Sequence, residues 1–159
     1  MATIERDVRI EAGSSADMDD VMAVMDGAFG DRYGEAWTRS QLAGILPMGG
    51  VSLMIARSRS GKETIGFSLF RTVGDEAELL LIGVLPDHQR QGVGGRLLDD
   101  FLERARNDGV ARVHLEVRDG NPALGMYREA GFSAVGRRRN YYYGADGKRF
   151  DAITLAHQL

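Results

Sequence analysis

The chain has 159 residues, 43% hydrophobic and 27% charged, a balance that suits one globular domain over 1–159 and excludes a disordered polymer. Cysteine is absent, which excludes a disulfide framework, a thiol nucleophile and a thiolate metal site. A net charge of −3 argues against a broad nucleic-acid surface, although "GRRRN" at 136–140 is a local basic patch.

The first residues, "MATIERDVRIEAG", carry Glu5, Arg6 and Asp7 and no apolar stretch. No signal peptide is expected there, and no run in the chain reaches the length of a membrane span. A cytoplasmic protein fits both readings. "VRI" at 8–10 alternates like a strand. "SSADMDDVMAVMDGAF" opens with serine caps and early acids, then sets Met18, Val21, Met22, Met25 and Phe29 at helical spacing. "WTRSQLAGIL" at 37–46 reads as a shorter helix capped by Thr38 and stopped by Pro47, Gly49 and Gly50. "VSLMIAR" at 51–57 and "TIGFSLFRTV" at 64–73 read as strands joined through "SGK". "EAELLLIGVLP" at 76–86 is a continuous apolar run, the pattern of a strand buried on both faces.

Glycines 92, 94 and 95 follow, and then Val93, Leu97, Leu98, Phe101, Leu102 and Ala105 mark one helix face that "NDG" closes. "ARVHLEVRD" is a strand with Val113, Leu115 and Val117 on one side and His114, Glu116 and Arg118 on the other. "NPALGMYREAGF" reads as a helix capped by Asn121, with Pro122 at its first position and Gly131 at its end. "SAVGRRRNYYY" and "RFDAITLAHQL" close the chain as two strands around "GADGK". Interleaved strands and helices with hairpins imply a mixed sheet covered on both faces.

Glycine costs about 1 kcal/mol against alanine inside a helix, so its clustering at a helix start calls for a reason. A helix N-terminus offers free N–H groups and the positive end of the macrodipole, and glycine lets an anion approach the main chain. A Walker loop fails, because Arg96 and Leu97 follow Gly95; a dinucleotide fingerprint fails at Leu97. Taken alone, the cluster is equally a tight strand-to-helix turn.

The hexapeptide Gln89-Arg90-Gln91-Gly92-Val93-Gly94 resembles the pyrophosphate loop of the GNAT N-acetyltransferases. The surrounding "LLLIGVLPDHQRQG", "HLEVRDGN", "LGMYREAGF", "GRRRNYY" and "DAI" extend the likeness over about 75–155, most closely to the RimI group, bacterial N-terminal acetyltransferases of a small-subunit ribosomal protein. The resemblance implies an α/β (α+β) GNAT fold: a mixed, mostly antiparallel sheet of about six or seven strands with about four helices on both faces. It implies acetyl-CoA as cosubstrate, no metal, and a protein or peptide N-terminus, such as that of a ribosomal protein, as acceptor, with no direct nucleic-acid or membrane partner.

The roles it carries over are specific. Glu116 is implied as general base and Tyr127 as general acid. Ile82, Gly83, Val84, the stretch Arg90, Gln91, Gly92, Val93, Gly94 and Gly95, and Asn121 are implied as cofactor contacts. Trp37, Arg139 and Tyr141 are implied at the peptide groove. Without the resemblance, Glu116 reads as part of a solvated strand face, Tyr127 as a tyrosine packed beside Phe132, and the arginine run as a solvated sheet edge. From Asn121 to Tyr127 the chain is one residue shorter than the group's pattern, which rotates or shortens the first helical turn. An acceptor that is a small amine or a lysine, or a non-catalytic acyl-CoA sensor, are the alternatives.

Overall fold

The computed structural model describes residues 8–159; the charged opening of the chain at Glu5, Arg6 and Asp7 lies outside the described residues. Within them the order is β1 (Arg9–Ala12), a 3-10 turn (Ser15–Asp17), α1 (Met18–Phe29), α2 (Arg39–Ile45), β2 (Val51–Arg57), β3 (Thr64–Val73), β4 (Glu76–Val84), a second 3-10 turn (Pro86–His88), α3 (Val93–Asn107), β5 (Arg112–Arg118), α4 (Leu124–Glu129), β6 (Ser133–Tyr143) and β7 (Arg149–Gln158). The strands form one seven-stranded sheet in the order β1-β2-β3-β4-β5-β7-β6. Pairing is antiparallel except between β4 and β5, because α3 carries the chain back across the sheet between those two strands.

Alternation along the strands divides the core. Leu53, Ile55, Phe67 and Leu69 pack with Val21, Val24 and Met25 of α1 and Leu42 of α2. On the opposite face Met54, Phe70, Val113, Leu115, Val117 and Leu155 pack with Leu98, Phe101 and Leu102 of α3 and Tyr127 of α4. The side of α3 expected to be apolar is the buried one, residue for residue, and its Phe101 ring lies 4.9 Å from Phe70. In β4 the register against β3 shifts by a residue at Leu80. That bulge explains why Leu79 and Leu81, which share parity, serve opposite faces.

Local caps follow the sequence. Thr38 Oγ1 accepts from the Gln41 N–H at 3.1 Å, and Gln41 Oε1 accepts from the Thr38 N–H at 2.8 Å, a reciprocal capping box that starts α2. Thr38→Ala is expected to cost about 1 kcal/mol, lowering the thermal midpoint by about 2–4 °C for a domain of this size. An unchanged melting curve would show that packing of Leu42, not the cap, holds the helix.

Two expected elements differ. α4 begins at Leu124, not at Pro122; Asn121 precedes it as a turn whose side-chain Oδ1 accepts the Ala123 N–H at 2.8 Å. β4 is not buried on both faces over its whole length: Glu78, Leu80 and Ile82 are only half-buried, the last two because they border a cavity.

Candidate active site

β4 and β5 pair only from Glu76–Arg112 to Leu79–Leu115. Beyond that point the two strands part, and a cavity of about 740 Å³ opens between Leu80–Val84 on one side and Glu116–Arg118 on the other. Leu85 N–H is bonded to Ile65 O on β3. Successive residues of a strand turn their backbone groups to opposite edges, so Val84 and Ile82 turn theirs into the gap. The Val84 carbonyl is taken there by Gln89 Nε2 at 2.9 Å. The half-burial of Ile82 thus marks a cavity wall.

The glycine cluster lies at one end. Gly92 caps α3 with φ 85°, a left-handed conformation that favours glycine; Arg90, with φ 60°, shares that conformation. The first intrahelical bond is Arg96 N–H to Gly92 O, so helix geometry gives the N–H groups of Val93, Gly94 and Gly95 no carbonyl in a preceding turn. A Cβ at Gly95 would meet no protein atom within 4 Å, and one at Gly94 would make only ordinary contacts, the nearest Met126 Sδ at 3.5 Å. The protein's own packing therefore does not require glycine at 94 or 95. Both line the cavity, and bare backbone there suits a ligand brought up from outside.

Ile82, Gly83, Val84, Arg90, Gly92, Gly94, Gly95 and Asn121 line this cavity, as do Glu116 and Tyr127. The side chain of Val93 instead packs with Ala56, Ile65 and Leu97, and that of Gln91 donates to Asp87 O. Neither side chain is in the wall, which leaves those two residues their backbone.

Glu116 belongs to the face of β5 opposite Val113, Leu115 and Val117. It is not a solvated side chain: its exposure is 11%, with Arg138 Nε at 3.0 Å from Oε1 and Thr154 Oγ1 donating to Oε2 at 2.7 Å. Thr154 stands directly across from it on β7. Tyr127 comes from the other side of the sheet, on α4, with its ring 6.0 Å from Phe132. Burial, and then the nearby Glu35 carboxylate, push the Tyr127 phenol far up, so the hydroxyl keeps its proton at neutral pH. The two side chains reach one cavity because the strands between them have separated.

Three residues expected at a peptide groove are not in the wall of this cavity. Trp37 lines a separate shallow depression with Gln41, Gly44, Ile45 and Met48. Arg139 and Tyr141 are exposed on the edge strand β6 and are not in the cavity wall. Both share the parity of Arg137, opposite to Arg138, which reaches Glu116; they also lie in a bulge, where Asn140 takes φ 52°, its N–H donates to Asp151 Oδ1 at 2.9 Å, and the register against β7 breaks between Arg138 and Tyr142. Tyr142 takes the position in the wall instead. Burial first, then Glu35, Tyr141, Glu116 and Tyr127, push its phenol far up.

Asn121 lines the cavity, but its side chain already serves the protein. Besides the Ala123 bond, its Nδ2 donates to Glu35 Oε2 at 2.8 Å. Glu35 and Arg118 were not singled out from the sequence. Arg118 Nε lies 3.2 Å from Glu35 Oε1, off the direction of a hydrogen bond, and its guanidinium stacks 3.6 Å from the centre of the Tyr33 ring. "DRYGEA" carries no periodicity that could flag Glu35. Arg118 had only its place on the Glu116 face.

The comparisons follow this geometry. Residues 19–132 match the model of the acetyltransferase (GNAT) family. The chain is 39% identical over 97 residues to a ribosomal protein bS18-alanine N-acetyltransferase of Haemophilus influenzae, covering 61% of this chain and 66% of that relative. It is 47% identical over 96 residues to the N-alpha-acetyltransferase RimI of Mycobacterium tuberculosis, covering 56% and 59%. Both alignments span less than two thirds of the relative's length. Its fold superposes on the crystal structure of the ribosomal-protein-S18-alanine N-acetyltransferase from Escherichia coli with a TM-score of 0.85 and 30% identity, over 95% of this chain and 93% of that one.

Proposed function

The chain belongs to the GNAT acetyltransferase family, and from that premise we propose that residues 1–159 form one catalytic domain that transfers acetyl from acetyl-CoA directly to the N-terminal α-amine of a protein, a ribosomal protein above all. One observation carries the reading: a single cavity joins the open helix start at Gly92–Gly95 to Glu116 and Tyr127.

The residues present fit an acyl-CoA. The start of α3 offers N–H groups and the positive dipole end to a pyrophosphate, with Arg90 beside them in the cavity wall. The gap-facing backbone of Ile82 and Val84 suits an amide-bearing arm. Acetyl-CoA, when bound, supplies an acyl group activated as a thioester. Glu116 takes a proton from the attacking amine as the C–N bond forms. Tyr127 gives its proton to the departing sulfur as the C–S bond breaks. An α-amine has a reference pKa near 8 against about 10.4 for lysine, so the base has less work on an N-terminus. The names of the relatives support the ribosomal acceptor.

The test is mass spectrometry of peptides with ribosomal-protein N-termini after incubation with the protein and acetyl-CoA. Acetyl on the α-amine is expected. Acetyl on lysine, or turnover only with small amines, would overturn the acceptor; binding of acetyl-CoA without turnover would overturn the enzyme.

Gly95→Ala gives the cofactor site an independent check. The open space around Gly95 and the helix propensity of alanine predict equal or higher stability, by up to about 1 kcal/mol. Acetyl-CoA affinity is expected to fall about tenfold, ~1.4 kcal/mol. Melting curves and calorimetric titration read the two; undiminished affinity would place the pyrophosphate away from α3.

A further inference from the structure

Loop 30–37, between α1 and α2, is tied down at several points. Ala145 N–H donates to Asp31 O at 3.1 Å. Tyr33 lies between Arg118 and Phe150, the latter ring at 5.1 Å. Gly34 passes so close to the Tyr143 backbone that no Cβ fits. At the inner end of the loop Glu35, 11% exposed, carries an ion pair and a hydrogen bond while forming part of the cavity wall. The acetyl-transfer scheme above leaves Glu35 without a task.

The connections of Glu35 indicate one. Asn121 is bonded at both ends of its amide: Oδ1 holds the Ala123 N–H, and Nδ2 is held by Glu35. The acceptor and donor ends each match their partners, so the amide has one satisfied orientation. Ala123 is the N-cap of α4, where no other side chain caps the helix. Tyr127 N–H bonds back to Ala123 O at 3.2 Å. A helix of this length has little stability of its own, so its placement depends on its first turn. The path from Glu35 to the acid thus runs through Asn121 and Ala123 to Tyr127.

We propose that Glu35 is a positioning residue for acetyl transfer: through Asn121 it fixes the first turn of α4 and so aims the Tyr127 hydroxyl into the cavity. The proposal rests on the acetyltransferase reading for its kinetic part only. Arg118, stacked on Tyr33 and paired with Glu35, holds the carboxylate in place. Loop 30–37 therefore sets the geometry of a catalytic group on the far side of the sheet.

The experiment has two readouts in the full chain. The first, amide hydrogen exchange, needs no turnover: Glu35→Ala is expected to speed exchange at Ala123 and Tyr127 while leaving Leu98 and Phe101 of α3 unchanged. The second is a kinetic cycle with an α-amino peptide acceptor. Glu35→Ala is expected to lower kcat about ten- to hundredfold, the scale of a misplaced catalytic group, with KM for acetyl-CoA within about twofold. In a Tyr127→Phe background the same change is expected to cost less than about twofold, because both variants remove one function.

Losses that multiply in the double variant would overturn the proposal, as would unchanged exchange at Ala123 and Tyr127. Glu35→Ala leaves Arg118 buried and unpaired; should that variant fail to fold, Asn121→Ala keeps the ion pair and carries the test. A fall in kcat with KM for acetyl-CoA held supports the positioning path. A raised KM with kcat held would make Asn121 a cofactor contact and overturn it. A wild-type protein without turnover would sink the acetyltransferase reading, and the exchange experiment would still decide whether Glu35 fixes α4.

Discussion

Glu116→Gln is expected to lower kcat by about a hundred- to ten-thousand-fold, the usual contribution of a general base, while acetyl-CoA binding and the fold persist. The geometry separates chemistry from stability. Glutamine retains an oxygen for the Thr154 hydroxyl, so the cross-strand bond between β5 and β7 survives. The lost ion pair is with Arg138, whose side chain is 63% exposed, and pairs open to solvent on one side contribute only about 0–1 kcal/mol. The end of the cavity proposed for the cofactor lies at α3, away from the substituted atoms. Steady-state kinetics, a melting curve and a calorimetric titration together read the three quantities. Turnover near wild type would remove Glu116 as the base; loss of acetyl-CoA binding would give it a different role.

Tyr127→Phe is the companion, with an expected fall in kcat of about a hundredfold or more and little change in KM for acetyl-CoA. The ring packs in the core beside Phe132 and Val117, and phenylalanine keeps that packing. What it removes is a hydroxyl that burial and Glu35 hold in the protonated form. A buried phenol that keeps its proton cannot serve as a base at neutral pH, which leaves base work to Glu116; burial also makes it a weaker acid, so the acid role of Tyr127 rests on its place in the cavity wall and not on its ionisation. A thiol leaving group of lower pKa needs less protonation, so an acyl donor with a better leaving group is expected to recover part of the Tyr127→Phe loss and none of the Glu116→Gln loss. Equal recovery in both would show that the two residues do not divide the proton transfers.

Much of the candidate site was legible because its residues lie in short, regular segments. The Gly92–Gly95 cluster, Glu116 on an alternating strand and Tyr127 on a capped helix each stand in a local pattern, and all three line the same cavity. Alternation also placed Glu116 on a polar face, but could not show that Thr154 and Arg138 would close over it, since both partners come from elsewhere in the chain. Three residues expected at a peptide groove, Trp37, Arg139 and Tyr141, are not in the wall of this cavity. Alternation puts Arg139 and Tyr141 with Arg137 and puts Tyr142 with Arg138 on the Glu116 side; the bulge around Asn140 adds two residues and so keeps that parity, and Tyr142 lines the cavity. Asn121 carried the signature of a cap and of a cofactor contact; its bond to Glu35 spans 86 positions, beyond any local pattern.

By itself the amino-acid order determined most of the elements and, for α3 and β5, their buried faces. Helical and strand periodicities are set by backbone geometry, and the apolar positions of α3 and β5 follow them closely. It also determined where an anion could meet bare backbone, because a helix start has unpaired N–H groups whatever surrounds it. Only the tertiary structure decided that this helix start, Glu116 and Tyr127 share one space. Glu116 and Tyr127 lie on opposite faces of the sheet, and a continuous sheet would keep them apart. They meet because β4 and β5 stop pairing after Leu79 and Leu115, and that parting is a property of two strands packed in one sheet, not of either strand alone.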